Sequence, residues 1–185
     1  MDEAVDAALH VFWRKGYEGA SLTDLTEALG INRPSLYAAF GSKEQLFLRA
    51  VDRYLAGPAA PAAEALTADT ARDVAAKMMR FYADAAGYPD NPRGCLLVQG
   101  ALVCGEGGES VRTALTDKRH FAEAALVARF ERAKRDGDLP SDAKPTDLGR
   151  YVWTVCYGMA VQAAGGATRD QLRRIAHIAM RAWPS

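Results

Sequence analysis

Apolar residues recur at helical spacing along the whole chain, and no stretch shows the alternation that is typical of a β-strand. Near the N-terminus, Val5, Ala8, Leu9 and Phe12 fall at i, i+3, i+4 and i+7, so they share one face of a helix. That helix is predicted to end near Gly16. Similar patterns follow in the later segments, and the sequence therefore predicts an all-α protein of about nine helices with no sheet.

Helix start and stop signals divide the rest of the first 56 residues into three short helices. Ser21-x-x-Asp24 is close to a capping box, and Gly30 is placed to end the helix that it opens. Pro34 lies in the first turn of the next helix, which Gly41 ends. Ser42-x-x-Gln45 is a second capping box. About three residues join the second helix to the third, which suits a helix-turn-helix.

An Ala- and Pro-rich segment, residues 57–69, is interpreted as the join between two regions, 1–56 and 57–185. Five further helices are predicted after it. The segment that includes residues 94–104 is apolar on most sides, so it is predicted to be buried. The predicted helices cover approximately residues 70–86, 94–104, 109–135, 145–164 and 168–183.

The charges exclude a protein that binds nucleic acid through a strongly basic overall composition. Lys and Arg number 23 and Asp and Glu number 23, so the formal net charge is zero. Region 1–56 holds six basic and eight acidic residues, a net charge of −2. Only the segment Ile31–Lys43, with two basic residues and no acid, carries a local positive charge that favours DNA.

Other sequence features predict a soluble, cytoplasmic, globular chain. The hydrophobic share of 49% is that of an ordinary folded domain. The most apolar stretch is far shorter than the roughly 20 residues that cross a bilayer. The sequence opens Met-Asp-Glu, without the basic start of a signal peptide.

The motifs of region 1–56 strongly resemble the DNA-binding domain of the TetR family of bacterial ligand-responsive transcriptional regulators. The resemblance covers about residues 4–54 and implies a regulator, expected to be a repressor, that binds a pseudo-palindromic operator as a homodimer. It is carried by Gly16-Tyr17-x-x-Ala20-Ser21-Leu22-Thr23-Asp24-Leu25 and by Ala28-Leu29-Gly30-Ile31-Asn32-Arg33-Pro34-Ser35-Leu36-Tyr37-x-x-Phe40-Gly41-Ser42-Lys43-Glu44-x-Leu46-Phe47.

The resemblance assigns DNA contacts residue by residue. Thr23, Tyr37 and Lys43 are expected to touch phosphates, and Asn32, Arg33 and Ser35 to face the major groove. Ser21 is expected mainly to cap its helix, with its backbone near a phosphate. Two departures stand out: Ala38-Ala39 replaces the His or Tyr of many members, and no basic arm precedes the first helix. Either DNA binding is weaker in this protein or the sequence has been trimmed.

Region 57–185 is expected to bind a small-molecule effector and to form the dimer. The effector is expected to lie between the fifth and eighth helices and to act on the DNA-binding region through the fourth. Aromatic residues and methionines in this region suit either a bundle core or an effector pocket. The candidate lining residues are Met78, Phe81, Tyr82, Phe121, Trp153 and Tyr157.

The last two helices carry apolar stripes that favour a four-helix dimer interface. The alternative is that both stripes are buried within one subunit. The candidate interface residues are Val155, Gly158, Met159 and Gln162 in one helix, and Leu172, Ile175, Ala176 and Ala179 in the other.

Other functional classes find little support. The sequence shows no pairing of catalytic residues, so no enzyme is predicted. His10, His120 and His177 are scattered, and neither a metal nor another cofactor is predicted. Two alternatives stay open. One is a thiol- or copper(I)-responsive regulator that uses the cysteines, although such residues are more often core hydrophobes. The other is a helical interaction protein that has lost DNA binding. The cysteines are Cys95, Cys104 and Cys156.

Overall fold

A computed structural model describes residues 2–102 and 108–184, and within these ranges it contains only helices and connecting segments. The prediction of an all-α fold is confirmed. The α-helices are α1 (Asp2–Gly19), α2 (Leu22–Leu29), α3 (Arg33–Phe40), α4 (Lys43–Ala56), α5 (Ala60–Glu64), α6 (Ala71–Ala85), α7 (Leu96–Leu102), α8 (Glu109–Arg135), α9 (Pro145–Ala164) and α10 (Arg169–Arg181), and a 3₁₀ turn covers Ala65–Thr67.

The described residues thus contain one α-helix more than the nine predicted. The additional helix is α5, five residues within the Ala- and Pro-rich segment that was interpreted as a join. No described helix has both the length and the apolar character needed to cross a membrane.

The chain divides into two compact units. The first contains the residues up to Ala60 together with Cys95–Asp117, and the second contains Pro61–Gly94 and Lys118–Ser185. The first unit therefore includes residues that the sequence boundary at 56 assigns to the second region.

In the first unit, α1 packs against α2, α4 and α7, and α3 packs against α2 and α4. Aromatic rings fill much of the centre. The Phe12 ring meets the Phe47 ring edge-on at 5.0 Å, and the Tyr17 ring lies 5.2 Å from the same Phe47 ring. The burial predicted for the segment 94–104 is confirmed for Cys95–Val98, whereas Gly94 and Gln99 are half-buried. These contacts hold the two short helices α2 and α3 in place.

In the second unit, α6 packs against α9 and α10, and α9 packs against α10. The segment that precedes α6 is fixed by side chains from later in the chain. The buried guanidinium of Arg129 donates to the carbonyl oxygens of Leu66 (3.2 Å), Ala68 (2.8 Å) and Asp69 (3.0 Å). The Asp138 carboxylate accepts the Ala71 N–H at 2.6 Å. Residues 66–71 are therefore held by α8 and by the turn that follows it.

Candidate nucleic-acid interface

The turn between α2 and α3 is specified by local sequence signals. Gly30 ends α2 with φ 65° and ψ 28°, a left-handed conformation that glycine adopts without strain. The Ile31 N–H then donates to the Thr26 carbonyl at 3.1 Å. The Asn32 side chain caps α3 by accepting the Ser35 N–H at 2.9 Å. Buried Leu25 and Leu36 anchor the two helices, so the outer face of α3 has a fixed orientation in its unit.

The first turn and outer face of α3 present side chains predicted to contact DNA, three in the major groove and one at a phosphate. Asn32, Arg33, Ser35 and Tyr37 are all exposed. Because Asn32 uses its amide oxygen as the cap, its NH₂ group is left as the donor that it can offer to a base edge. Ala38 and Ala39 are exposed on the same helix and offer no hydrogen-bonding group. The polar part of this face is therefore concentrated in the first turn of α3 and at Tyr37.

Two of the predicted contact residues are joined to each other across the turn. The Arg33 guanidinium donates through Nη2 to the Thr23 hydroxyl at 3.2 Å. Both side chains are exposed, so the pair lies at the surface where α2 meets α3. This hydrogen bond places Arg33, predicted to face the major groove, beside Thr23, predicted to contact a phosphate.

Ser21 serves as the cap that the sequence predicts. Its hydroxyl accepts the Asp24 N–H at 3.0 Å, and the Asp24 carboxylate accepts the Ser21 N–H at 2.9 Å. Lys15 donates to the other Asp24 oxygen at 2.6 Å. These hydrogen bonds, led by the one from Lys15, lower the pKa of Asp24 from 3.8 to about 2.

Lys43 stands at the start of α4, where a cation opposes the helix dipole. Its ammonium lies 4.5 Å from the centroid of the Tyr17 ring, a cation–π contact. Partial burial lowers the pKa of Lys43 from 10.5, and the nearby charge of Glu18 opposes that shift. Tyr17 was not among the predicted site residues, although its place in the Gly16-Tyr17 motif was a signal for it. Its ring orients the Lys43 ammonium.

Three of the predicted effector-lining residues come together as rings, which we term the aromatic cluster: Tyr82, Trp153 and Tyr157. Trp153 stacks on Tyr157 at 4.9 Å, and Tyr82 meets Trp153 edge-on at 6.1 Å. Phe81 lies beside the cluster, with its ring 5.3 Å from that of Tyr82. Met78, in the same helix, is buried. Phe121 is not drawn into this core, because its side chain is 79% exposed.

The predicted interface residues fall into two groups. Met159, Leu172, Ala176 and Ala179 are buried within the single chain. Val155 is half-buried, whereas Gly158, Gln162 and Ile175 are exposed. Sequence reasoning missed two large exposed apolar residues on the same helices, Val161 and Ile178, and the i, i+3 spacing from Gly158 and Ile175 was the signal that could have found them.

Within the described residues, no three His, Cys, Asp or Glu side chains are grouped as a metal site requires. Cys95 and Cys156 are buried. Cys104 lies outside the described residues.

Comparisons with known proteins agree with this geometry. Residues 4–50 match the family model described as bacterial regulatory proteins, tetR family. The transcriptional repressor ComR of Escherichia coli K12 is 30% identical, over 99% of this chain and 88% of its own. The repressor BdcR of the same strain is 32% identical, over 96% of this chain and 86% of its own.

A solved structure gives the same result at higher identity. A cysteine mutant of the TetR family regulator CifR, complexed with 26-bp double-strand operator DNA, is 41% identical. The match covers 99% of this chain and 96% of that one, with a TM-score of 0.94. The helix-turn-helix, the match to the family model and the full-length relatives lead to one conclusion: this chain belongs to the TetR family of DNA-binding transcriptional regulators.

Proposed function

We propose that this protein is a repressor that binds a pseudo-palindromic operator as a homodimer and is released from it by a small-molecule effector. The observation that carries the proposal is the exposed first turn of α3, where Asn32, Arg33 and Ser35 stand beside Thr23 and near Tyr37. The names of ComR and BdcR as repressors, and the operator complex of CifR, support it.

In this proposal, the α3 face enters the major groove and the flanking residues bind phosphates. Arg33 exchanges its hydrogen bond with Thr23 for a base edge, because a guanidinium pairs well with guanine O6 and N7. Thr23 only accepts in that hydrogen bond, so its O–H remains a donor for a phosphate. Lys43 and Tyr37 add phosphate contacts, which position the module without reading sequence. The region's net charge of −2 makes these few local contacts the main source of affinity.

The dimer proposal rests on the exposed apolar side chains of α9 and α10. Ile175 is 41% exposed and Ile178 is 57% exposed, one helical turn apart on α10. Val161 and Gly158 are exposed at the same spacing on α9. Burying such side chains contributes about 25 cal/mol per Å² of apolar surface, and a small residue permits close helix approach. A second copy of the chain is the occupant that two operator half-sites require.

The effector proposal rests on the aromatic cluster in the second unit. Ring faces of this kind bind apolar and aromatic molecules. An effector that favours one state of the dimer by about 1–3 kcal/mol would change operator affinity by about 5- to 150-fold.

Selection from a random double-stranded DNA library, with the full chain at a stated moderate salt concentration, tests the proposal. The expected result is an enriched pseudo-palindrome. Arg33→Ala should then bind that operator about 10-fold or more weakly and lose preference at the base that it contacts. Arg112→Ala is the matched control, since Arg112 is exposed on α8 and pairs with Glu109 at 3.3 Å.

A selection without enrichment would contradict sequence-specific binding and favour the alternative of a helical interaction protein that has lost DNA binding. An Arg33→Ala variant that binds as tightly as wild type would place the reading face elsewhere. Analytical ultracentrifugation of the same preparation gives the oligomeric state, and a monomer at operator-binding concentrations would refute the dimer.

A further inference from the structure

The indole nitrogen of Trp153 is buried, and no residue that the structure describes accepts a hydrogen bond from it. The side chain as a whole is 8% exposed. Buried N–H groups in folded proteins almost always have an acceptor, so an exception calls for a physical explanation. Trp153 lies in α9, in the same aromatic cluster that the proposed function assigns to effector binding.

The surroundings of Trp153 define what a partner must look like. Tyr157 stacks on the Trp153 ring at 4.9 Å with an interplanar angle of 28°, and the Tyr82 ring stands nearly perpendicular to it at 86°. These rings provide flat apolar walls. Asp84, two residues after Tyr82 on α6, is already engaged at 2.6 Å with Arg173 of α10.

The cluster borders the surface through Tyr157 and through Phe81, the ring beside it. Phe81 and Tyr157 are half-buried, in contrast to Trp153. Phe81 also lines a surface cleft of about 450 Å³, together with Tyr88 and the exposed side chain of Lys77. Its ring therefore belongs both to the cleft and, through Tyr82, to the edge of the cluster.

We infer that the Trp153 N–H is a donor for the effector, and that the effector is a neutral, flat, mainly apolar molecule that carries an oxygen acceptor such as a ketone, ester or ether. The ring faces favour a flat apolar body, and the N–H selects an acceptor over a hydrocarbon. An anion would bring a full charge against ring faces and a buried N–H, which costs more desolvation than a neutral acceptor, and a cation would face an N–H donor. This inference rests on the proposed function and specifies the chemistry of its effector.

Ketones and alkenes of matching shape test the inference, because replacing C=O by C=CH₂ removes the acceptor and little else. The probes are acetophenone against α-methylstyrene, and 2-acetonaphthone against 2-isopropenylnaphthalene, titrated into the full chain by calorimetry without DNA. At least one ketone should bind about three- to tenfold more tightly than its alkene, the range expected for one neutral hydrogen bond. Benzoate should bind more weakly than acetophenone.

Trp153→Phe keeps a ring and removes the donor, so the ketone preference should fall to about twofold or less. Trp183→Phe is the matched control. Trp183 is also a buried tryptophan of the second unit, and its ring contacts Phe130 at 5.4 Å rather than the cluster. This control should keep the preference. In wild type labelled with ¹⁵N-tryptophan, the ketone and not the alkene should move the Trp153 indole resonance downfield, a readout that does not depend on whether a variant folds.

The inference would be overturned by equal binding of ketone and alkene, by a preference that survives in Trp153→Phe, by an indole resonance that the ketone leaves unmoved, or by binding of none of the four probes at their solubility limits. Fluorescence anisotropy with the selected operator separates this failure from failure of the proposed function. A ketone that binds through Trp153 without releasing DNA refutes effector release alone. Release by other molecules, without any ketone preference, refutes only the inference.

Discussion

Replacing Arg129 by Met should lower the free energy of unfolding more than the replacement of an exposed residue in the same helix. The Arg129 side chain is 9% exposed, and its guanidinium donates to the carbonyls of Leu66, Ala68 and Asp69 at 2.8–3.2 Å. Met fills a similar volume but donates nothing. The Ala68 carbonyl would lose a buried hydrogen bond, and the Leu66 and Asp69 carbonyls would each lose a partly buried one.

The size of this loss follows from the three bonds. An unsatisfied buried carbonyl costs about 1–3 kcal/mol, and the two partly buried carbonyls recover some of their loss by binding water. Removing the desolvated guanidinium returns part of its own burial cost. The expected net loss is therefore about 2–4 kcal/mol in the free energy of unfolding. Arg129→Lys should lie between wild type and Met, because an ammonium cannot reach three carbonyls with the geometry of a guanidinium.

Guanidinium chloride denaturation followed by far-ultraviolet circular dichroism measures the loss. All variants are compared at one protein concentration, since a dimer is stabilised by mass action. Arg132→Met is the matched control, one turn further along α8 with an exposed side chain, and it should change stability by about 0.5 kcal/mol or less. A loss below about 1 kcal/mol in Arg129→Met, or an equal loss in the control, would refute the assignment of Arg129 as the residue that holds the segment before α6.

Three further outcomes are expected. Gly149→Ala would place a Cβ 2.7 Å from Val127 Cγ2, so denaturation should show a loss of about 1–3 kcal/mol, and unchanged stability would contradict the close approach of α8 and α9. Because the pKa of Asp24 is about 2 folded against 3.8 ordinarily, the stability that it contributes is present above pH 3.8 and is lost as pH falls through 2. Acid titration should therefore destabilise wild type more than Asp24→Asn, and parallel curves would refute the pairing with Lys15. Ile178→Asp should shift the dimer–monomer equilibrium towards monomer in sedimentation analysis while leaving the helical content unchanged, and an undiminished dimer would place the interface elsewhere.

The features that sequence predicted well are those that local chemistry determines. Ser21, Gly30 and Asn32 cap or end their helices because of groups within three or four residues of themselves. Such signals are visible in the sequence and do not depend on which distant segments come to lie beside them. The helix-turn-helix was predictable for this reason.

The features that sequence missed depend on long-range packing. Arg129 binds carbonyls some 60 residues away, and no local pattern indicates those partners. The contact of Lys43 with the Tyr17 ring joins two helices that are distant in sequence. Phe121 is the opposite case. An aromatic residue in an amphipathic helix predicts a buried position, yet Phe121 is exposed. Spacing identifies an apolar residue without identifying what covers it.

In the last helix, the predicted interface stripe includes both buried and exposed residues. In α10, Leu172, Ala176 and Ala179 are buried within the chain, whereas Ile175 and Ile178 are exposed. Under the proposed dimer, α10 packs both on its own unit and on a second copy, and such a helix needs apolar residues on both sides. The predicted stripe therefore combines residues that pack within the chain with residues that the proposed dimer would bury.

Under the proposed function, α9 has the same double character, and this provides a route for regulation. Trp153 is buried in the aromatic cluster, while Gly158 and Val161 are exposed on the same helix. Because a packed helix moves as one body, a ligand that shifts α9 at Trp153 also shifts the exposed face of that helix. If that face forms the dimer, α9 links effector binding to the spacing of the two α3 helices that enter the operator. A Trp153→Phe variant that still binds ligand but no longer changes operator affinity would locate the coupling at this residue.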